Sequence, residues 1–132
     1  MTGSHSLRPL ALLLIAASLL GGCASRSNSI VGTWTATVTS PKTTQSLKLT
    51  EVYNADGSYK MTTEGADANI AMNGTYTAKD GVMDLHFVSG TVNGRAMSSQ
   101  LANMVVKQTY KLNGNTLVVS DAKTPEMTLT RS

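Results

Sequence analysis

Alternation with a period of two runs through the chain from Val31 onward, and it leaves few folds open. Trp34, Ala36 and Val38 fall on one face of their segment while Thr33, Thr35, Thr37 and Thr39 fall on the other. This is the pattern of a half-buried strand rich in β-branched residues. Further segments of the same kind are Ser46 to Asn54, Ser58 to Glu64, Asn69 to Ala78, Val82 to Ser89, Val105 to Leu112, Thr116 to Ser120 and Met127 to Arg131. Eight short strands separated by turn residues predict an all-β antiparallel meander.

The turns test that reading, because a slip of one residue in a hairpin moves every side chain to the opposite face. Asp80-Gly81 as a two-residue turn pairs Ala78 with Met83 and Tyr76 with Leu85. Asn113-Gly114 as a type I′ turn pairs Tyr110 with Leu117 and Gln108 with Val119. At Ala55-Asp56-Gly57 a two-residue loop would set Tyr53 against Lys60. A three-residue loop with Gly57 in the left-handed region instead pairs Tyr53 with Tyr59 and Glu51 with Met61, and is preferred. All three turns gather the apolar residues on one inner face. From Thr91 to Met104 the pattern breaks: Asn93-Gly94 signals a turn, while Met97, Leu101, Met104 and Val105 stand at helical spacing behind Ser98 and Ser99. A loop with room for a short helix is expected there.

Ahead of the strands, Arg8 precedes an apolar run from Leu10 to Leu20. Eleven residues suit the apolar part of a signal peptide and are too few to span a membrane, which takes roughly 17. The run ends in Leu20-Gly21-Gly22-Cys23, which resembles the lipobox of bacterial lipoproteins: an apolar residue, two small ones and the cysteine that receives lipid. That resemblance implies a signal peptide over residues 1–22, removed by cleavage, and membrane attachment through acyl chains, palmitate among them, on Cys23. Residues 23–29 then form the lipidated cysteine with a short polar tether, and residues 30–132 one domain. Ala24 and Ser25, with no aspartate after the cysteine, imply the outer membrane of a Gram-negative envelope. Cys23 is the chain's single cysteine, so no internal disulfide is available. Cleavage would leave 110 residues carrying ten Lys and Arg against eight Asp and Glu. The basic residues stand singly among polar neighbours, which argues against nucleic-acid binding.

Gly32-Thr33-Trp34 on the first strand resembles the Gly-x-Trp that opens lipocalins and their calycin relatives. Asp56-Gly57-Ser58-Tyr59, Gly74-Thr75-Tyr76 and Leu129-Thr130-Arg131 follow in an order similar to that of the small lipocalin-like domains of bacterial lipoproteins. The resemblance implies that the meander closes into an eight-stranded lipocalin-like barrel, and that Arg131 packs over Trp34 in a cation–π contact at the barrel floor. It also implies room inside for side chains or one small ligand.

On the inner face the sequence places Glu51, Gln108 and all four tyrosines, Tyr53, Tyr59, Tyr76 and Tyr110, among aliphatic residues. Buried tyrosine hydroxyls need partners. Either these six residues line a pocket for an amphipathic ligand, or the tyrosines sit at the barrel ends with hydroxyls in water and Glu51 turns outward at a bulge. After the leader, six methionines, at positions 61, 72, 83, 97, 104 and 127, raise the question of a soft-metal site. With Met83 opposite Ala78, however, Met72 is six residues and roughly 20 Å away along its strand, so the methionines are read as adaptable core filler and no metal or cofactor is expected. His86 is the one histidine after the leader, and alternation turns it outward beside Asp84. No nucleophile, base and orienting acid fall at a catalytic spacing, so the chain does not read as an enzyme. Two function classes stay open. One is a barrel that binds a small apolar or amphipathic molecule. The other is an interaction module for an envelope protein, such as an assembly accessory or an inhibitor of a protease or lysozyme.

Overall fold

The computed structural model describes residues 29–39, 44–66, 69–98, 100, 103–123 and 125–132. Residues 1–28 lie outside the described residues, and with them the expected signal peptide, the cysteine expected to carry lipid, Cys23, and most of the expected tether. The strands are β1 (Gly32–Thr39), β2 (Ser46–Tyr53), β3 (Ser58–Glu64), β4 (Asn69–Lys79), β5 (Val82–Val92), β6 (Arg95–Ala96), β7 (Val105–Asn113), β8 (Thr116–Ser120) and β9 (Met127–Arg131). Every pairing is antiparallel. β1 pairs with β2 on one side and β9 on the other, β4 pairs with β5, and β6 hangs on the end of β5. Eight strands therefore close into the expected barrel, with one short extra strand, and closure removes the exposed edges of an open sheet. Outward positions carry Lys48, Thr50, Lys60, Thr62, Lys107 and Lys111, with Val82, Val88 and Val105 exposed on the same side of β5 and β7.

Two of the three turns used to set register have the expected pairing. Ala78 faces Met83 and Tyr76 faces Leu85 around Asp80-Gly81, where both residues have positive φ as a type I′ turn requires. Tyr53 faces Tyr59 and Glu51 faces Met61 around the three-residue loop that ends on Gly57. The third turn is displaced. Asn113 pairs with Thr116, so Gly114 and Asn115 form the loop, and Tyr110 faces Val119 where Leu117 was expected. Gly114 has φ of 60° and Asn115 is not left-handed, the pattern of a type II′ turn with glycine first. Because this register differs from the expected one by two residues, the inner face keeps the same members.

The expected loop with a short helix is also corrected. β5 runs on to Val92, and Asn93-Gly94, both at positive φ, make a tight hairpin into β6. No described residue of the segment is helical, and Leu101 lies outside the described residues. The hairpin is favoured because Val92 and Thr91 find backbone partners in Arg95 and Ala96, and Met97 N–H donates to the Gly90 carbonyl at 2.9 Å.

The core gathers at one end. Trp34, Tyr53, Met83, Leu117 and Leu129 are fully buried. Trp34 Nε1 donates to the Ile30 carbonyl at 2.8 Å, which satisfies the one polar atom of the indole. The Arg131 guanidinium carbon lies 4.2 Å from the Trp34 ring centroid, as the family resemblance implied. Its Nη1 and Nη2 donate to the carbonyls of Val31 and Ser29, each at 2.8 Å. Gly32, at φ 144°, makes room: a Cβ there would stand 2.6 Å from Arg131 Nη1. The arginine thus covers the indole and ties the entering chain across this end.

Candidate functional site

Glu51 is the buried charged residue of the interior, 4% exposed. It faces inward with no bulge in β2, which disposes of the outward-facing alternative. Tyr59 OH donates to its Oε1 at 2.8 Å and Tyr53 OH to its Oε2 at 2.9 Å. The two rings are 5.0 Å apart, with Phe87 5.9 Å from Tyr59. β2 and β3 supply the triad through the loop at Gly57, which sets Tyr53 opposite Tyr59. The fit of Tyr59 depends on Gly74, its cross-strand partner. The register between β4 and β5 shifts at Asn73/Gly74, and a Cβ on Gly74 would overlap the His86 carbonyl oxygen, so a close backbone approach fixes the wall behind the tyrosine.

Burial pushes the Glu51 carboxyl up from its ordinary value, and the hydrogen bonds from Tyr59 and Tyr53 offset part of that rise. Both phenols are pushed up as well, first by burial and then by the neighbouring Glu51 charge. They therefore remain protonated donors. Two hydroxyls aimed at a carboxyl answer the demand that buried polar groups be paired, and they leave the acid as an acceptor facing an apolar space.

That space is a cavity of about 720 Å³, inside the range of small-molecule sites. Its deep wall includes Leu49, Glu51, Tyr59, Met72, Leu85, Phe87 and Val119, and its rim includes Thr39, Met104, Asp121, Pro125 and Glu126. It therefore runs from the interior to the barrel end opposite Trp34. Val38 at the mouth and Trp34, which pairs with Glu51, are four residues apart on β1, a depth of about 13 Å at ~3.3 Å per residue.

Of the six residues read from the sequence as ligand-facing, Glu51, Tyr59 and Gln108 line this cavity. Tyr53 holds Glu51 from behind. Tyr76 stands at the other end, where its ring packs 5.0 Å from Tyr53 and its hydroxyl donates to the Asn54 carbonyl at 2.8 Å. Tyr110 packs against the core but lines a separate outer groove with Gly81 and Lys111. The Oε1 atom of Gln108 is buried with no hydrogen-bond partner among the described residues.

Sequence reasoning missed the rim acids Asp121 and Glu126, which sit between strands where period-two patterning says nothing about direction. No sequence signal marked Asp121: the observed β7–β8 pairing, which ends at Thr109–Ser120, is two residues from the register expected at Asn113-Gly114. It also missed that Met61 and Met72 are direct cross-strand partners. Met97 approaches the same wall, since a Cβ on Gly90 would lie 2.8 Å from its sulfur and 3.3 Å from Met72 Cγ. With Met104 and Met127 at the cavity, methionine gives much of the wall a soft, adaptable surface. His86 is exposed on the outside, as alternation placed it.

No protein-family model matches the sequence, and no curated protein matches it.

Proposed function

We propose that this chain is a lipocalin-like lipoprotein of the bacterial outer membrane, anchored through lipid on Cys23, whose barrel binds a small apolar or amphipathic molecule. The observation that carries the binding half is the cavity of about 720 Å³, open at one end, apolar in most of its wall and with Glu51 and Tyr59 in its depth. Proteins fill their interiors to crystal-like density, so a void of this size above a tightly packed floor favours an occupant. Gln108 Oε1 supports the same reading, because a buried acceptor without a partner costs about 1–3 kcal/mol and a ligand donor would relieve it. In this reading Glu51, with both oxygens engaged by tyrosines, serves to bind. The anchoring half rests on the Leu20-Gly21-Gly22-Cys23 motif behind its apolar run.

Native mass spectrometry of the full chain, purified from its own envelope, tests the binding half. A bound small molecule that is lost in a variant filling the cavity, such as Val119→Phe, is the expected result. Absence of any bound species, before and after exposure to envelope extract, would overturn the reading and move the envelope interaction module ahead. Fractionation with radiolabelled palmitate tests the other half. Label should enter the wild type in the outer membrane and be lost with Cys23→Ser; unchanged attachment of that variant would refute the anchor.

A further inference from the structure

Every charged residue that lines the cavity is acidic. Glu51 lies in its depth and Asp121 and Glu126 at its rim, and no lysine, arginine or histidine lines it among the described residues. The polar atom left unsatisfied on its wall, Gln108 Oε1, is also an acceptor. The one strong donor in its depth, Tyr59 OH, is already given to Glu51. The site thus offers acidic side chains at both ends of an apolar shaft and no cation to pair with a carboxylate or phosphate head, for which only neutral donors such as the Gln108 amide and the Ser120 hydroxyl are present. A cavity with walls of low dielectric focuses such a field and raises the local concentration of cations.

We propose that the ligand class of this cavity is the apolar amine: a protonated amine on an aliphatic or aromatic body, selected against fatty acids and other anionic amphiphiles. This rests on the cavity reading above and adds the sign of the ligand's charge and its hydrogen-bonding sense. The body lies along Met61, Met72, Leu85 and Phe87. The ammonium donates to Gln108 Oε1 or to the acids at the mouth, where charge-assisted hydrogen bonds are short and strong. The faces of Tyr59 and Phe87 are attractive to a cation as well.

The test is a titration of the full chain carrying Cys23→Ser, in detergent-free buffer, with decylamine, decanol and decanoate. These probes share a chain and differ in charge and donor capacity. Decylamine is expected to bind at least tenfold more tightly than decanoate, with decanol between them. Glu126→Gln should weaken decylamine about three- to tenfold and leave decanol within twofold, and Gln108→Leu should weaken decylamine by a similar factor and decanol by less, while circular dichroism shows both variants folded. Decanoate binding as tightly as decylamine, or a preference for decylamine that both variants retain, would overturn the inference and leave the cavity reading standing. Failure of all three probes to bind would overturn the cavity reading itself.

Discussion

The two ends of this barrel are built from the same strands and reach opposite outcomes. At the end that holds the chain's entry at Ile30, Trp34, Leu117 and Leu129 are fully buried, short turns join the strands, and Arg131 seals the indole with bonds to two carbonyls of the incoming segment. At the other end the connections are longer, Val38 and Met104 are each 38% exposed, and the inner face opens into the cavity. The difference teaches where the energy resides. A closed floor with a large aromatic and a tethering cation stabilises the fold, and an open mouth can then be left underpacked for binding. Substitutions at the two ends should accordingly separate stability from ligand capture.

The largest effect is expected at the floor. Trp34→Ala removes a fully buried indole and should cost about 3–5 kcal/mol in urea unfolding. Its polar and cationic partners would be stranded with it: the Ile30 carbonyl loses its donor and Arg131 loses the ring. A loss under about 1 kcal/mol would show that the floor is no better packed than the mouth and would remove the contrast.

Arg131→Ala is next, at roughly 2 kcal/mol, since it deletes a cation–π contact and two charged donors to backbone carbonyls. Because Arg131 acts partly through Trp34, the two losses should not add. A double-mutant cycle is expected to give a coupling of at least about 0.5 kcal/mol. Additive losses would mean that the contact across β1 and β9 is geometric and carries no energy.

Much of this contrast was legible in the sequence, for reasons that differ by region. The floor could be read because period two fixes which residues face inward, and because Asp80-Gly81 and Gly57 allow few backbone conformations. Even the misplaced turn at Gly114-Asn115 left the floor intact: Asn-Gly and Gly-Asn loops are both competent hairpin turns, and choosing between them shifts the register by two, which changes neighbours and not faces. The mouth was harder to read. A cavity is a property of closure, set by how eight strands tilt and stagger, and no single segment encodes it. Hence Tyr110 and Glu51 both read as inner polar residues, while Glu51 lines the void and Tyr110 lines a separate groove outside it. The methionine wall was missed because Met72 was measured against Met83, and the β3–β4 register that brings it to Met61 has no turn within the described residues to announce it.

Glu51 lies between the two regions and gives a pH-dependent test. Burial holds its carboxyl above the ordinary range. Below about pH 4, where an unfolded glutamate is protonated, folded and unfolded chains carry the same proton and Glu51 imposes no penalty. As pH rises from there through the folded value, the unfolded chain releases its proton first, so stability is progressively lost. Glu51→Gln cannot ionise and should abolish this fall while changing stability little at low pH. Urea midpoints from pH 4 to pH 8 would show it; parallel curves for wild type and variant would mean that Glu51 ionises in the native barrel as readily as in water.

The smallest effect on stability should come from the mouth. Val38→Ala and Met104→Ala remove side chains that are already more than a third exposed, so little burial is lost. Each should cost under about 1 kcal/mol, since side chains near solvent forfeit only part of the ~25 cal/mol per Å² of apolar burial. Their influence on ligand should run the other way. Val38 and Met104 both line the cavity, and trimming them widens its entrance, so release of a bound apolar probe should become faster while the melting temperature barely moves. Stopped-flow release beside a thermal melt measures both on the same samples. A large drop in melting temperature with release unchanged would place the mouth in the structural core, and the division of labour between the two ends would no longer hold.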